Sequence, residues 1–442
     1  MNSEVLKVVK FGGSSLADAA QFRKVADIVR AEESRRYVVP SAPGKRFSDD
    51  DKVTDLLYKC YEMASKGESI DEVFSIITQR YDGIIADLGL EGYSLEDEYT
   101  YIRGSVIHKA GRDYVASRGE YLNGKILAEF LGYDFIDAAE VIFFKEDGKF
   151  DAERTNEAMA ARLSKHERAV IPGFYGAMPN DTIKTFSRGG SDITGSIVAR
   201  AVQCDLYENW TDVSGFLMAD PRIVKDPKVI DTITYHELRE LSYMGATVLH
   251  EDAIFPVRVA GIPINIKNTN HPEDKGTMIV PSADISASED IITGIAGKKG
   301  FSVITLEKDM MNSEIGFGRR VLEVLENEEI SFEHLPSGID TMSVILNSHA
   351  IEGKKDDLVN KLCRRVKPDS ITVNDDLALI AVVGRRMVSA KGVAAKLLNA
   401  IAEADVNVRM IDQGSSELNI IIAVESSDFE KAMQAIYSGF VK

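Results

Sequence analysis

Three glycine-containing segments carry the charged side chains best suited to chemistry. The first, Lys10-Phe-Gly-Gly-Ser-Ser15, follows a short apolar run and precedes an amphipathic stretch. Paired glycines let a backbone approach a ligand closely, and consecutive amides at the start of a helix favour phosphate. Lys10 adds a positive charge at the same place. The segment predicts a phosphate-binding turn, and the alternative is a tight strand-to-helix turn beside an exposed lysine.

The second and third segments add an arginine and several acidic residues. Ser187-Arg-Gly-Gly-Ser-Asp192 supplies Arg188, whose guanidinium can grip a carboxylate with two parallel hydrogen bonds. Trp210-Thr-Asp-Val-Ser-Gly215 follows another strand-like run and leads to Asp220-Pro-Arg222. Taken singly, Asp192 is also explained as a helix N-cap and the third segment as a polar loop. Three such strand ends on one sheet suit phosphoryl transfer, which needs a cation beside the transferring oxygens and usually Mg²⁺.

Alternating strand-like and helix-like segments must position these residues. This alternation predicts an α/β fold with a mainly parallel sheet covered by helices on both faces, and ligands bind such sheets at the C-terminal ends of the strands. The predicted strands are 5–11, 37–40, 134–136, 169–172 and 206–210, and the predicted helices are 17–33, one from about 52, 152–165 and 192–203.

The last third of the chain contains an internal repeat. The polar segment 274–292 is the best boundary before it. Shifted by 76 positions, 316–346 overlays 392–422 without a gap, so that Gly316 falls on Gly392. Each copy reads as helix, strand, glycine-containing turn and strand, with helix stripes spaced i, i+4 and i+7 or i+8. The repeat predicts two small α+β modules.

Composition narrows the class of protein. The 442 residues suggest about three domains, and a net charge of −18 disfavours nucleic-acid binding. Three isolated cysteines fit a reducing compartment, and no signal peptide or membrane-length apolar run is visible. We therefore expect a cytoplasmic protein with no nucleic-acid or membrane partner. Sequence patterns of P-loop NTPases, Rossmann dehydrogenases and zinc hydrolases are absent.

The three segments, together with Gln413-Gly-Ser-Ser-Glu417, resemble the signatures of aspartate kinases over essentially the whole chain. The resemblance implies an amino-acid-kinase domain over 1–285, followed by ferredoxin-like ACT modules at 290–365 and 366–442. Strand 291–297 is expected to pair with the second module. The implied reaction uses ATP and Mg²⁺ to phosphorylate the β-carboxylate of L-aspartate, giving 4-phospho-L-aspartate on the route to lysine, threonine and methionine.

The resemblance also implies site residues, with no dedicated protein metal site and no catalytic histidine, because the substrate carboxylate is already ionised at neutral pH. The implied catalytic residues are Lys10 and Asp192; the implied substrate-binding residues are Thr54, Glu120, Arg188, Gly190 and Ser191; and the implied nucleotide-binding residues are Lys10, Phe11, Gly12, Gly13, Thr211, Asp212 and Arg222.

ACT modules typically pair and bind amino acids between them, so the resemblance implies feedback control and a homodimer or homotetramer. If Glu333 faces the cationic end of an effector, lysine is favoured, with threonine as a second candidate. The alternative is that Glu333 is merely exposed. The implied effector site joins the turn residues Met311, Asn312, Ser313 and Gly316 to a strand at Phe332 and Glu333.

The sequence departs from the family pattern at three places. Thr247 stands where many members carry a lysine, and Leu217 where some carry a tyrosine. The loop 45–52 looks longer than usual, and its Asp49-Asp50-Asp51 run predicts a solvated loop, with a Mg²⁺ role as the minor alternative. Two other functions remain open at this point. One is a kinase for glutamate, acetylglutamate or carbamate, and the other is an inactive amino-acid sensor.

Overall fold

The chain folds into two compact units. The computed structural model describes residues 5–187, 189–246, 249, 251–284 and 290–441. One unit contains the chain up to Phe216, Val229–Tyr235 and a segment that ends at Ala283. The other contains Leu217–Lys228, a segment that ends at Ala246 and the chain from Asp284 onward. Within the described residues, no helix combines the length and the apolar character that a membrane span requires.

The first unit follows the predicted alternation of strands and helices. Its strands are β1 (Lys7–Phe11), β2 (Arg35–Pro40), β3 (Asp134–Phe135), β4 (Ala169–Val170), β5 (Tyr175–Ala177), β6 (Ile183–Thr185), β7 (Leu206–Thr211), β8 (Thr232–Thr234), β9 (Ile264–Asn268) and β10 (Thr277–Val280). Its helices are α1 (Ala19–Arg30), α2 (Val53–Lys66), α3 (Asp71–Leu88), α4 (Glu96–Ile107), α5 (Arg112–Leu131), α6 (Ala152–Leu163), α7 (Gly190–Ala201) and α9 (Glu251–Ala260), whereas α8 (Tyr235–Tyr243) starts here and continues in the second unit.

The main sheet has the strand order β3-β4-β2-β1-β7-β9-β10-β8, and only the β9–β10 pair is antiparallel. This confirms the predicted mainly parallel fold. Strand β1 lies between β2 and β7, where Val8, Val9 and Phe11 are fully buried. A strand buried on both faces reads as a continuous apolar run, which is why β1 was predictable. Helix α1 packs Phe22 and Val25 into the same core.

One topological expectation was wrong. The segment before Arg188 does not end a strand of the main sheet, because β6 pairs only with β5 in a separate antiparallel hairpin. The predicted boundary 274–292 also contains a strand: β10 pairs with β9 and β8 and buries Ile279 completely. Residues 285–289 lie outside the described part of the chain.

The second unit is built on one antiparallel sheet in the order β12-β11-β13-β15-β14. Residues Gly294–Lys299 of its first long strand pair with Ala378–Val383 of the second, and Val303–Glu307 pair with Ser370–Asn374. The strands are β11 (Gly294–Glu307), β12 (Thr341–Asn347), β13 (Ser370–Val383), β14 (Met410–Asp412) and β15 (Asn419–Glu425), and the helices are α10 (Phe317–Asn327), α11 (Lys355–Val366), α12 (Val393–Glu403) and α13 (Phe429–Phe440).

The internal repeat is real but not gapless. Gly316 and Gly392 both precede a helix with left-handed φ angles of 81° and 82°, so the helices match at the predicted shift. The strands that follow begin at Thr341 and Asn419, which differ by 78 positions. The gapless overlay is therefore wrong by two residues at the strand. A slip of two preserves which side chains face the core, so the apolar pattern hid it.

A buried ion cluster joins the start of the central strands. The Glu208 carboxylate, only 2% exposed, accepts hydrogen bonds from Arg35 Nε at 2.8 Å and from Trp210 Nε1 at 2.9 Å. Lys7 Nζ lies 3.2 Å from the other carboxylate oxygen. Glu32 pairs with the same two cations, but its side chain is 42% exposed. Glu208 is thus the buried counter-charge of Arg35.

We expect Glu208→Gln to destabilise the first unit by about 3 kcal/mol or more, because removing one partner leaves the other as an uncompensated buried charge. The matched variant Glu32→Gln removes an exposed partner of the same cations and should cost less than about 1 kcal/mol. Urea unfolding followed by circular dichroism measures both. Equal losses in the two variants would contradict the assignment.

Candidate active site

Lys10 and Asp192 form an ion pair at the C-terminal end of the central strand. Lys10 Nζ lies 2.6 Å from Asp192 Oδ1, and the Lys10 side chain is 9% exposed. Asn209 Nδ2 donates to the same carboxylate oxygen at 2.8 Å. Three elements, β1, α7 and β7, therefore meet at one carboxylate. Sequence analysis did not identify Asn209. The sequence feature that could have indicated it is its position on β7, the strand that pairs with the strand of Lys10.

The N-cap explanation of Asp192 is wrong. Helix α7 begins at Gly190, and its N-cap is Gly189 with a left-handed φ of 57°. Asp192 lies in the first turn, and its side chain bonds Lys10 and Asn209. The predicted substrate residues Gly190 and Ser191 occupy the same turn and are buried.

The Gly12-Gly13 turn is tightly packed at Gly13. The Gly12 amide donates to the Trp210 carbonyl at 3.0 Å, and the Gly44 amide donates to the Gly13 carbonyl at 2.8 Å. A Cβ added to Gly13 would lie 2.9 Å from the Ala42 carbonyl oxygen. The turn is thus held between the ends of β7 and β2, as a phosphate-binding loop requires.

The predicted nucleotide-binding residues are divided between the two units: Arg222 belongs to the second unit and the others belong to the first. Phe11 is buried and stacks on Trp210, so its side chain belongs to the core rather than to a ligand pocket. Thr211 ends β7, the strand beside β1, and the exposed Asp212 follows it. The Ser15 and Thr269 hydroxyls, 2.7 Å apart, connect the first turn to the loop after β9. Arg222 belongs to the second unit, where it pairs with Asp220 at 2.6 Å.

Glu120 is a buried carboxyl group near the end of β2. Burial raises its pKa from 4.5 to about 8, against the lowering effect of an Ala42 backbone hydrogen bond and of Arg118. Its Oε2 atom and the Oδ1 atom of Asn123 have no hydrogen-bond partner within the described residues. Asn123 Nδ2 donates to the Ser41 carbonyl at 2.7 Å. Two unsatisfied buried acceptors make this a place for a ligand with N–H donors.

The remaining predicted substrate residues are only partly located. Thr54 lies in the first turn of α2, half-buried. Gly119, next to Glu120, packs against that turn, since a Cβ added to it would lie 3.7 Å from Val53. Arg188, Thr247 and His250 lie outside the described residues.

The acidic run in the loop after β2 is solvated, as expected, except at its central residue, Asp50. Asp50 is 8% exposed and binds two arginines: Arg46 Nε at 2.9 Å and Arg80 Nη1 at 2.8 Å. Hydrogen bonding by the Arg46 side chain holds the pKa of Asp50 well below its usual range. Asp49 and Asp51 are exposed. The Asp50 carboxylate therefore binds two arginines rather than a metal cation.

Two carboxylates of the site could help to hold a Mg²⁺ ion bound to nucleotide phosphates. Asp192 lies in the first turn of α7, and Asp212 directly follows β7. Among the described residues, no cluster of three His, Cys, Asp or Glu side chains has metal-binding geometry. Mg²⁺ commonly takes one or two carboxylates plus substrate phosphates, and this donor set fits that pattern.

The predicted effector residues lie in the second unit around a short 3₁₀ turn, Met311–Ser313. Met311 is buried, Gly316 precedes α10, and the Asn312 amide donates to the Ile339 carbonyl at 3.0 Å. Phe332 and Glu333 do not form the predicted strand, because pairing near them is limited to an isolated bridge at His334.

Glu333 is not merely exposed. Its side chain is half-buried and accepts a hydrogen bond from the Tyr243 hydroxyl. Burial and this bond raise the pKa of Tyr243 to about 12. Phe332, next in the chain, is 44% exposed.

A parallel sheet with a glycine turn and a lysine–carboxylate pair at its C-terminal edge is the arrangement of a phosphotransferase, and the model of the amino acid kinase family matches residues 6–268. An ACT domain model matches residues 380–440. Aspartokinase 3 of Bacillus subtilis is 40% identical over 98% of both chains. The chain belongs to the aspartate kinases of the amino acid kinase family, and its enzyme activity is that of an aspartokinase with ACT regulatory domains.

Solved structures agree with this family. The crystal structure of Clostridium acetobutylicum aspartate kinase matches with a TM-score of 0.89 and 52% identity, covering 98% of this chain and 100% of that one. E. coli aspartokinase III in complex with aspartate and ADP matches with a TM-score of 0.73 and 25% identity, covering 99% of this chain and 100% of that one. The same enzyme in complex with lysine and aspartate matches with a TM-score of 0.71, 25% identity and the same coverage.

We expect Lys10→Ala to lower kcat by at least about 10²-fold, because it removes a fixed charge that would offset the developing charge on the phosphoryl oxygens. Steady-state kinetics with ATP and L-aspartate, together with circular dichroism of the folded variant, measure this. Lys59→Ala, an exposed lysine on α2, is the control and should keep wild-type kinetics. Near-wild-type turnover of Lys10→Ala would reject the role.

Proposed function

We propose that the enzyme transfers the γ-phosphoryl group of ATP to the β-carboxylate of L-aspartate, forming 4-phospho-L-aspartate and ADP. This is the first step towards lysine, threonine and methionine. The observation that carries the proposal is the buried Lys10–Asp192 pair at the sheet edge, beside the Gly12-Gly13 turn. The complex of E. coli aspartokinase III with aspartate and ADP supports it.

The chemistry needs positioning and charge compensation rather than a base. The attacking carboxylate is ionised at neutral pH, so no residue has to remove a proton. Lys10 offsets repulsion between this carboxylate and the phosphoryl group, and the Gly13 amide donates to a phosphate oxygen. Asn209 keeps Asp192 beside Lys10. Asp192 or Asp212 would hold Mg²⁺ together with the nucleotide phosphates, and the ion would supply further charge compensation.

The ligands are divided between two sides of the Gly12-Gly13 turn. Glu120 accepts hydrogen bonds from the α-ammonium group of aspartate, and Arg188 grips a carboxylate. Their neighbours Thr54, Gly190 and Ser191 complete the substrate pocket. The nucleotide is held by Lys10, Phe11 (through its backbone), Gly12, Gly13, Thr211 and Asp212.

Regulation follows from the second unit, for which we propose ACT modules at 290–365 and 366–442. Lysine is the proposed effector, because the Glu333 carboxylate suits a side-chain ammonium and the amides of the Met311–Ser313 turn suit a carboxylate. Threonine is the second candidate. The lysine complex of E. coli aspartokinase III supports this choice. The assembly is a homodimer or homotetramer formed through the ACT modules, in the cytoplasm.

The pKa of Glu120 predicts how aspartate use depends on pH. The carboxyl group is neutral below about pH 8 and must lose a proton to accept an ammonium group. Hence kcat/KM for aspartate should rise with pH from 6.5 to about 8, by up to about tenfold per unit, and then level off. Glu120→Gln should lower kcat/KM and abolish the rise. A flat wild-type profile would argue against the role of Glu120.

The ionisation of Glu120 should also affect the thermal stability of the protein, which provides a control. Because its folded pKa is raised above 4.5, ionisation removes stability as the pH rises from about 4.5 to about 8. Glu120→Gln cannot ionise, so its Tm should exceed that of the wild type at pH 8 and approach it at pH 5. A variant that is less active yet more stable separates a functional role from a structural one.

The decisive experiment traps the acyl phosphate as a hydroxamate in the presence of ATP and Mg²⁺. L-aspartate should give product, whereas L-glutamate and N-acetyl-L-glutamate should not, which separates this activity from the other amino-acid kinases. Lysine, threonine or both are then added. Loss of product with lysine supports the effector assignment, and indifference to every amino acid removes it. Binding of lysine without any product from aspartate would favour a sensing protein.

A further inference from the structure

A buried arginine that is distant in sequence from the Gly12-Gly13 turn is connected to this turn by hydrogen bonds. Arg80 lies on α3, and its side chain is 4% exposed. One guanidinium nitrogen, Nη1, donates to Asp50 at 2.8 Å. The other, Nη2, donates to the Ala17 carbonyl at 3.2 Å and to the Gly44 carbonyl. Arg80 therefore ties together three stretches of backbone that sequence analysis treated separately.

Two of these contacts connect Arg80 to the 3₁₀ turn Gly13–Leu16, one through Gly44 and the other through Ala17. The Gly44 amide donates to the Gly13 carbonyl at 2.8 Å, while the Gly44 carbonyl accepts from Arg80. A Cβ added to Gly44 would lie 2.6 Å from the Gly13 carbonyl carbon, so the two backbones are in direct contact. Ala17 directly follows the 3₁₀ turn Gly13–Leu16. Arg80 thus bonds directly to the residue that follows this turn and is connected to its first residue, Gly13, through Gly44.

The carboxylate that holds Arg80 is shared with a second arginine. Asp50 is the carboxylate to which both Arg46 and Arg80 are paired. Arg46 is bonded to Asp50 through its side chain and its backbone amide, and its side chain is 43% exposed. Asp18 also acts on Arg46 through its charge, so at least two acids accompany the two arginines of this cluster. Asp50 is bonded to both guanidinium groups and so holds Arg80 in place.

We propose that Arg80 is a positioning residue for phosphoryl transfer, which fixes the Gly12-Gly13 turn through Gly44 and Ala17 and is itself held by Asp50. This rests on the proposed assignment of that turn to the nucleotide phosphates. The loop 45–52 has a function in this view, because it supplies Asp50 as the anchor for Arg80. Small displacements of phosphate-binding amides are costly, since a shift of about 1 Å can lower a rate by about 10²-fold.

The chain offers a matched control in Arg35. Its side chain is 6% exposed and is paired with the buried Glu208, much as Arg80 is paired with Asp50. Arg35 begins β2, whereas the phosphate turn follows the last residue of β1. Losing either arginine should reduce stability to a similar extent. Only the loss of Arg80 should disturb the turn.

The test compares Arg80→Met, Arg80→Lys and Arg35→Met under conditions in which each variant is folded by circular dichroism. We expect kcat of Arg80→Met to fall by about 30- to 100-fold. The dissociation constant for ADP, from calorimetric titration, should rise in the same variant. Arg80→Lys keeps one donor direction and should recover part of kcat. Arg35→Met should keep kcat and ADP affinity within about threefold per folded molecule.

Arg80→Lys and Gly44→Ala keep the proposal testable if Arg80→Met does not fold. Gly44→Ala pushes on Gly13 from the opposite side and should reproduce the loss of kcat. The proposal is overturned if folded Arg80 variants turn over at the wild-type rate, or if Arg35→Met loses as much kcat and ADP affinity. Failure of the phosphate assignment itself is seen separately, as activity retained by Lys10→Ala.

Discussion

The structure depends on a buried lysine that has to be kept charged and in place. Lys10 is surrounded by the core of a parallel sheet, and removal of its counter-charge would leave an uncompensated cation. Asp192 supplies that charge from the first turn of α7, and Asn209 supplies the hydrogen bond that orients it. Helix α7 and strand β7 must therefore dock against β1 in one register. The active site and the core of the kinase unit are consequences of the same constraint.

Sequence reasoning found the parts of this site that lie at strand ends. Continuous apolar runs, glycine pairs and charged residues after strands are local signals, and they located Lys10, Gly12-Gly13 and Thr211. It missed Asn209 and Asp50, because a strand asparagine and an acid in a loop have many ordinary explanations. Arg80 was not recognisable at all, since its partners Ala17 and Gly44 lie 63 and 36 residues away in the chain.

The second unit shows a different limit. Its repeated helices begin at equivalent glycines with left-handed φ, a requirement that few other residues meet, and so the helices could be aligned from sequence. The strands could not, because strand periodicity is two and a slip of two residues leaves the buried face unchanged. Periodicity also does not reveal how long β11 and β13 are. These two strands pair with each other along two separate stretches.

The charges of the kinase site explain how an acidic protein can bind two anions. Lys10 is already paired with Asp192, and Glu120 is neutral at pH 7 because burial raises its pKa. The resting site therefore presents little uncompensated negative charge of its own, despite a net charge of −18 on the chain. A phosphoryl group would compete with Asp192 for Lys10, and the positive charge of an ammonium group would favour loss of the Glu120 proton to solvent. We infer that the charged groups of the empty site are either paired internally, as Lys10 and Asp192 are, or neutral, as Glu120 is. The approaching ligands replace these internal partners, so neither ligand is repelled by an uncompensated negative charge of the site.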